Sequence, residues 1–253
     1  MTIYWSRLTE AFDSLTIPDQ AILTMRRAAN MKKEEVRARI ERIGIIPAVR
    51  VPEAELALFA AKTVTDAGIP ITEITMTVPG AVEVIGRLAQ ERPDMIVGAG
   101  TVIDVETAKR CLDAGATFLT SPGLVPEVVE FAQKNDVVVI PGTLTPSEVI
   151  TAWKAGANFV KVFPCAPVGG HKYIRALKIP LPQIPLIASG GVDQVTAPKF
   201  ILAGASALGI GAELLPLEAL QLRDETWIHE LARRFRAMVQ DARAQTIRNM
   251  HDK

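Results

Sequence analysis

From Gly44 onward the chain alternates short apolar runs with longer stretches in which apolar residues recur at helical spacing. The short runs, rich in β-branched residues and bounded by glycine and proline, read as strands; the amphipathic stretches between them read as helices. Strands are predicted over 44–50, 71–76, 95–99, 117–121, 137–141, 158–163, 185–189 and 205–210. Such alternation is the pattern of a parallel α/β fold whose helices cover the sheet. Four helices end alike, at Asp66-Ala67-Gly68, Asp113-Ala114-Gly115, Lys154-Ala155-Gly156 and Leu202-Ala203-Gly204. Glycine just past a helix accepts the left-handed turn that sends the chain back into a strand. These glycines recur about every 45 residues, two βα units at a time, as in a quasi-repeating fold. Eight evenly spaced units predict closure into a (β/α)8 TIM barrel, with a doubly wound open sheet as the alternative.

Two segments flank the barrel. Residues 1–30 hold a few apolar residues at loose helical spacing (Leu8, Phe12, Leu15), a break at Pro18-Asp19 and a second short run to Asn30. They predict a helical N-terminal extension, or sequence upstream of the natural start. Met31-Lys32-Lys33-Glu34-Glu35 reads as a second beginning, so the barrel domain is placed at 31–253. Its C-terminal helix is predicted over 224–246, with Asp224 as N-cap and a stripe of Trp227, Ile228, Leu231, Phe235, Met238 and Val239 against the barrel. Arg233, Arg234, Arg236 and Arg243 fall on the opposite face, read as a solvated surface.

Composition narrows the function classes. Lysine and arginine together number 28, as do aspartate and glutamate, so no net field draws the chain to nucleic acid or anionic lipid. No apolar run is long enough to span a bilayer, and Arg7, Glu10 and Asp13 interrupt the place of a signal peptide's apolar core. Two cysteines, Cys111 and Cys165, supply neither a disulfide framework nor a CxxC metal site, and a cytoplasmic location is expected. Three histidines with no HxH or HExxH spacing give no sign of a metal.

The chemistry centres on Asn158-Phe159-Val160-Lys161-Val162-Phe163-Pro164. Side chains alternate along a strand, so Phe159, Lys161 and Phe163 share one face and Val160 and Val162 the other. An ammonium among apolar neighbours is costly unless paired, and burial favours the neutral amine, the form that attacks a carbonyl. That is the setting of a Schiff-base lysine. A structural ion pair, or a lysine reaching back to water, would account for the strand equally well.

The other strand ends add to it, because a barrel of this kind places its active site at their C-terminal rim. Arg50 ends the first strand, Glu73 lies in the second, Gly98-Ala99-Gly100-Thr101 ends the third and Thr120-Ser121-Pro122-Gly123 the fourth. Pro141-Gly142-Thr143 follows the fifth, Ser189-Gly190-Gly191 the seventh and Gly209-Ile210-Gly211 the eighth. Arg50, Glu73 and Lys161 are charged groups inside otherwise apolar strands, and ionisable groups converge where function needs them. Glu73 beside Lys161 could move the protons of imine formation and C–C cleavage without a metal. A Glu73–Lys161 salt bridge that only fills the barrel is the alternative. The glycines after the last two strands suit a phosphate site, since backbone N–H groups can there approach an anion closely. Ala212 offers no hydroxyl to help. His171 and Cys165, both near Lys161 in sequence, are read as a surface and a buried residue.

Taken in order, Glu73-Ile74-Thr75, Gly98-Ala99-Gly100-Thr101-Val102, Ser121-Pro122-Gly123, Pro141-Gly142-Thr143, Lys161-Val162-Phe163-Pro164 and Ser189-Gly190-Gly191-Val192 form a recognisable set. From about Met31 to about Leu215 the chain resembles the KDPG/KHG aldolases, that is 2-dehydro-3-deoxy-phosphogluconate and 4-hydroxy-2-oxoglutarate aldolases. The resemblance implies a homotrimeric class I aldolase that cleaves a 2-keto-3-deoxy sugar acid phosphate to pyruvate and an aldehyde phosphate. It implies no cofactor beyond the covalent imine on Lys161. Glu73 falls on the general acid/base and Thr101 on a residue that helps bind the pyruvyl part. Gly190, Gly191 and Gly211 fall on the phosphate loops, with Ser189 beside them. Where many members carry an arginine four residues after the glutamate, this chain has Thr77, and Arg50 could take its place. Phe163-Pro164-Cys165-Ala166 replaces the usual Phe-Pro-Ala-Glu, and Ala212 stands where a serine often assists the phosphate. Two other readings stay open: a phosphate-binding barrel of another reaction type, such as an epimerase or synthase, and a non-catalytic oligomeric scaffold.

Overall fold

The computed structural model describes residues 31–251; the expected helical extension over 1–30 lies outside them. Helix α1 (Lys33–Ile43) comes first, with Glu34 and Glu35 set in its first turn against the positive end of the helix dipole. Nine parallel strands follow: β1 (Ile45–Val49), β2 (Ile71–Thr75), β3 (Ile96–Gly100), β4 (Phe118–Thr120), β5 (Val138–Ile140), β6 (Gly142–Thr143), β7 (Val160–Val162), β8 (Leu186–Ser189) and β9 (Ala205–Ile210).

The sheet runs β5-β4-β3-β2-β1-β9-β8-β7-β6, and its two ends are consecutive in the chain. Pro141 alone separates β5 from β6; having no N–H, it cannot continue the ladder. The fifth expected strand, 137–141, is β5, paired with β4; past the proline a further short strand, β6, pairs with β7, and the Pro141 carbonyl accepts from Lys161 N–H at 2.9 Å. The result is a nearly closed barrel, and the open-sheet alternative falls.

Between the strands run α2 (Ala54–Asp66), α3 (Ala81–Glu91), α4 (Val105–Asp113), α5 (Pro126–Lys134), α6 (Pro146–Lys154), α7 (His171–Lys178) and α8 (Ala197–Leu202). A short α9 (Leu217–Gln221) and the long α10 (Glu225–His251) complete the chain. The four expected helix-ending glycines, Gly68, Gly115, Gly156 and Gly204, all have positive φ. Alternation splits the core in two. Val49, Ile74, Leu119, Val160 and Val162 face outward to the helices, whereas Ile46, Ile71, Ile96, Phe118, Val138, Phe159 and Ile187 fill the lower barrel. Val36 and Ile40 of α1 join the inner set and plug its floor.

Asp224 caps α10 as expected, accepting from Trp227 N–H at 2.9 Å, and the helix runs beyond the predicted 246. Ile228, Leu231, Phe235 and Val239 of its stripe are buried, but Trp227 is 39% exposed and lies at the stripe's edge. Its arginine face is not uniformly solvated. Arg233 and Arg234 pair with Glu230, while Arg243 donates to the Glu41, Arg42 and Ser206 carbonyls at 2.7–2.8 Å and Arg236 to Ala67 O at 3.2 Å. These two long side chains reach past their own helix to the carbonyl-bearing ends of α1 and α2, which a helical-wheel reading cannot see. Among the described residues no helix is long and apolar enough to cross a membrane.

Candidate active site

Lys161 is the middle residue of β7 and Glu73 of β2. Each follows a lower-layer apolar residue two positions earlier in the chain, Phe159 just before β7 and Ile71 on β2, so alternation turns both inward at the next level up. Register holds them there. Glu73 lies between Ala48 on β1 and Gly98 on β3; Lys161 lies between Gly142 on β6 and Ile187 on β8. The Lys161 backbone is fixed from both sides, its carbonyl accepting from Thr143 Oγ1 at 3.0 Å.

Space for Glu73 comes from glycine. A Cβ on Gly100 would stand 2.5 Å from Glu73 Cδ, and one on Gly98 would stand 2.2–2.3 Å from three carbons of the Phe118 ring. Glu73 is 4% exposed, and Lys161 is half-buried with its ammonium 5.1 Å from the centroid of the Phe163 ring, on the shared face that alternation predicts. Among the described residues neither side chain forms an ion pair. The filler salt bridge is absent, and the amine and the carboxylate both face open space.

That space is a cleft of about 420 Å³ at the C-terminal ends of the strands. Its lining brings together Arg50, Glu73, Lys161, Ser189, Gly190, Gly191 and Gly211, seven of the eight residues expected from the sequence. Arg50 is exposed just past β1. Gly190 and Gly191 both have positive φ, and a side chain on Gly191 would collide with Ala166, so the loop can be built only from glycine. A Cβ on Gly209 would lie 2.8 Å from Ser189 Oγ, so glycine there leaves the hydroxyl its room.

Thr101, the eighth, is not among the lining residues. It sits after β3 with φ 62°, a strained conformation for a β-branched residue. Thr77, where many members carry arginine, instead bonds Thr75 Oγ1 at 2.7 Å, and Thr75 donates to Val49 O at 3.0 Å. The pair ties the ends of β2 and β1 together.

His171 opens α7 outside the cleft, its ring edge-on to Phe200 at 6.4 Å. Burial, together with Lys199, Lys172 and Arg175, holds its pKa below the ordinary value. Cys165 is buried, its thiol donating to Gly170 O at 3.6 Å and pushed up to about 12 by burial. Among the described residues no group of three or more histidine, cysteine, aspartate or glutamate side chains is arranged to hold a metal ion. Sequence reading missed Glu213, Leu215 and Leu217, which line the cleft beyond β9. Glu213 gave no signal, since a glutamate in a loop between apolar residues is ordinary.

An amine that converts a ketone to an iminium, which can take up an electron pair, and a carboxylate that moves a proton are together able to break a nearby carbon–carbon bond, and this cleft holds one of each. Comparison with known proteins agrees. Residues 36–231 match the family model described as KDPG and KHG aldolase. The chain is 34% identical over 190 residues to the KHG/KDPG aldolase of Escherichia coli, covering 75% of this chain and 89% of that one. To the 2-dehydro-3-deoxy-phosphogluconate aldolase of Treponema pallidum it is 34% identical over 173 residues, covering 66% and 82%. The structure of KDPG aldolase from Legionella pneumophila, with pyruvate captured as a covalent carbinolamine intermediate, superposes with a TM-score of 0.72 at 30% identity, covering 78% of this chain and 95% of that one.

Proposed function

The chain belongs to the KDPG and KHG aldolase family, and from that premise we propose that Lys161 and Glu73 carry out a class I, Schiff-base aldol cleavage. The enzyme is a lyase. It reversibly cleaves a 2-keto-3-deoxy sugar acid, such as 2-dehydro-3-deoxy-6-phosphogluconate, to pyruvate and an aldehyde such as glyceraldehyde 3-phosphate. The observation that carries the residue assignment is the placing of an unpaired amine and an unpaired carboxylate on inward strand faces of one cleft.

The neutral Lys161 amine adds to the C2 ketone; the carbinolamine loses water to an iminium conjugated to the C3–C4 bond. Glu73 takes the proton of the C4 hydroxyl, that bond breaks, and the aldehyde leaves as its electron pair moves into the iminium, giving an enamine. Protonation at C3, with Glu73 returning the proton, and hydrolysis release pyruvate and free lysine. General acid–base help of this kind contributes roughly 10²–10⁴-fold. The iminium serves as the electron sink, so the reading calls for no other cofactor.

Arg50 is assigned to the substrate carboxylate, and Thr101 to the pyruvyl part as the resemblance implies. Ser189, Gly190, Gly191 and Gly211 are assigned to the far end. A homotrimer and a cytoplasmic location belong to the same reading; the first rests on resemblance, the second on the free, buried state of Cys111 and Cys165.

Borohydride reduction in the presence of pyruvate tests the assignment. A covalent adduct mapped to Lys161, and absent from Lys161→Ala, is expected; a folded protein that takes no adduct sinks the Schiff-base assignment.

A further inference from the structure

At the end of β4 a hydroxyl is buried with nothing to bond. Thr120 is 2% exposed, and among the described residues its Oγ1 has no hydrogen-bond partner. Such burial is unfavourable, because the hydroxyl gives up water and gains nothing in exchange. Phe118, two residues earlier on the same strand, belongs to the lower apolar layer, so alternation turns Thr120 inward one step above it. Glu73 stands in the same relation to Ile71, and Lys161 to Phe159.

Register brings Thr120 to Glu73. The β3–β4 ladder pairs Gly98 with Phe118 and Ala99 with Leu119, so Gly100 comes opposite Thr120, and Thr120 O accepts from Val102 N–H at 3.0 Å. On its other side Thr120 pairs with Ile140 of β5, which is apolar. Gly100 has no side chain, and the Glu73 carboxyl group occupies its place, with Cδ 2.5 Å from where a Cβ would stand. The carboxylate therefore lies over β3, with Thr120 on the adjoining strand at a spacing of about 4.8 Å. Thr120 does not line the cleft, so its hydroxyl reaches the chemistry only through Glu73.

The aldolase reading, on which the following rests, has Glu73 take the proton of the C4 hydroxyl and return one to C3. Among the described residues no ion pair fixes that carboxylate. We infer that Thr120 is a positioning residue: as substrate binds, its hydroxyl donates to one Glu73 oxygen and holds the other in line for proton transfer. Hydrogen bonds of this kind are often long in a free enzyme and tighten only with substrate in place. A single donor to a charged group is worth roughly tenfold or more.

The test uses the full chain and compares Thr120→Val, which keeps the shape and removes the hydroxyl, with Thr120→Ser, which keeps the hydroxyl. Cleavage of 2-dehydro-3-deoxy-6-phosphogluconate is followed by pyruvate release. Exchange of pyruvate methyl protons for deuterium, followed by NMR, reads proton transfer at C3 alone. Thr120→Val should lower kcat about tenfold with KM within twofold, and exchange should slow in parallel. Borohydride should still trap pyruvate on Lys161, and the melting temperature should equal or exceed that of wild type, since an unpaired buried hydroxyl is gone. Thr120→Ser should recover kcat and exchange to within about threefold of wild type. Thr120→Ala, also without the hydroxyl, should be as slow as Thr120→Val and replaces it if the valine protein does not fold. The inference is overturned by hydroxyl-free variants whose kcat and exchange stay within twofold of wild type, by a serine variant as slow as the valine one, or by a loss confined to KM. Trapping on the wild-type protein separates the failures. With the adduct present and the variants unmoved, only the role of Thr120 falls; with no adduct, the aldolase assignment falls as well.

Discussion

Gly100→Ala is the sharpest probe of how the fold holds its base. The alanine Cβ would stand 2.5 Å from Glu73 Cδ and 2.6 Å from Cγ, where ordinary contact begins at 3.4 Å. β2 and β3 are locked in register from Ile71↔Ile96 to Thr75↔Gly100, so the strands cannot part and the glutamate must give way. Its carboxylate therefore moves by about 1 Å, a displacement of the size that costs on the order of 10² in rate when it affects a catalytic group. That corresponds to about 2.7 kcal/mol of transition-state stabilisation. Because Glu73 borders open cleft, the side chain can swing without a cavity or a buried clash, and the stability loss should stay at or below about 1–3 kcal/mol. Lys161 lies across the barrel and keeps its surroundings, so borohydride should still trap pyruvate on it. The assay is steady-state pyruvate release beside adduct yield. A hundredfold fall in kcat with the adduct retained is expected, and wild-type kcat in a folded Gly100→Ala protein would refute the reasoning.

Other outcomes follow from the same coordinates. Gly98→Ala drives a methyl into the Phe118 ring on the lower layer and should lower the melting temperature more than Gly100→Ala does, by thermal unfolding followed with circular dichroism. Arg243→Ala removes three charged hydrogen bonds to the carbonyls of Glu41, Arg42 and Ser206 and should cost about 2–3 kcal/mol in urea unfolding; a loss below 0.5 would show these bonds idle. Burial pushes the Cys111 and Cys165 thiols up to about 11 and about 12 from an ordinary 9.0, so the folded state keeps protons that the unfolded chain loses. Stability is then full below pH 9 and falls as pH rises above it, by about 3 kcal/mol for the pair between pH 8 and pH 10. The Cys111→Ala/Cys165→Ala protein should show a flatter decline over that range, and parallel curves would disprove the burial effect.

What could be read from the sequence was whatever strand periodicity controls. Phe159, Lys161 and Phe163 share a face by alternation alone, and so do Ile71, Glu73 and Thr75. The eight strands and their rim followed from the same rule, because a parallel strand buried on both faces leaves little ambiguity in its apolar run. Contacts made by long side chains across the chain were not legible. Arg236 and Arg243 reach carbonyls more than 160 residues away in sequence, and only the packing of α10 brings them there. The left-handed backbone of Thr101 after β3 was not legible either, because it depends on φ and a β-branched residue gives no sign of it. The break at Pro141 shows the opposite case: the proline was in plain view, but only the sheet order shows that it falls where the barrel joins itself.

The division of the barrel interior explains why the reactive pair is where it is. One strand step separates Ile71 from Glu73 and Phe159 from Lys161, and the lower member of each pair belongs to the closed apolar plug that α1 seals with Val36 and Ile40. A charge placed one step lower would be fully desolvated among the apolar plug, with no partner. At the middle level the half-buried Lys161 side chain borders the cleft and can reach substrate. Glycine at 100 leaves the room on β3 that the Glu73 side chain fills, so the opening of the cleft depends on the neighbouring strand as well as on β2. Filling that level at Gly100 would displace Glu73. That change acts on the chemistry before it acts on the fold.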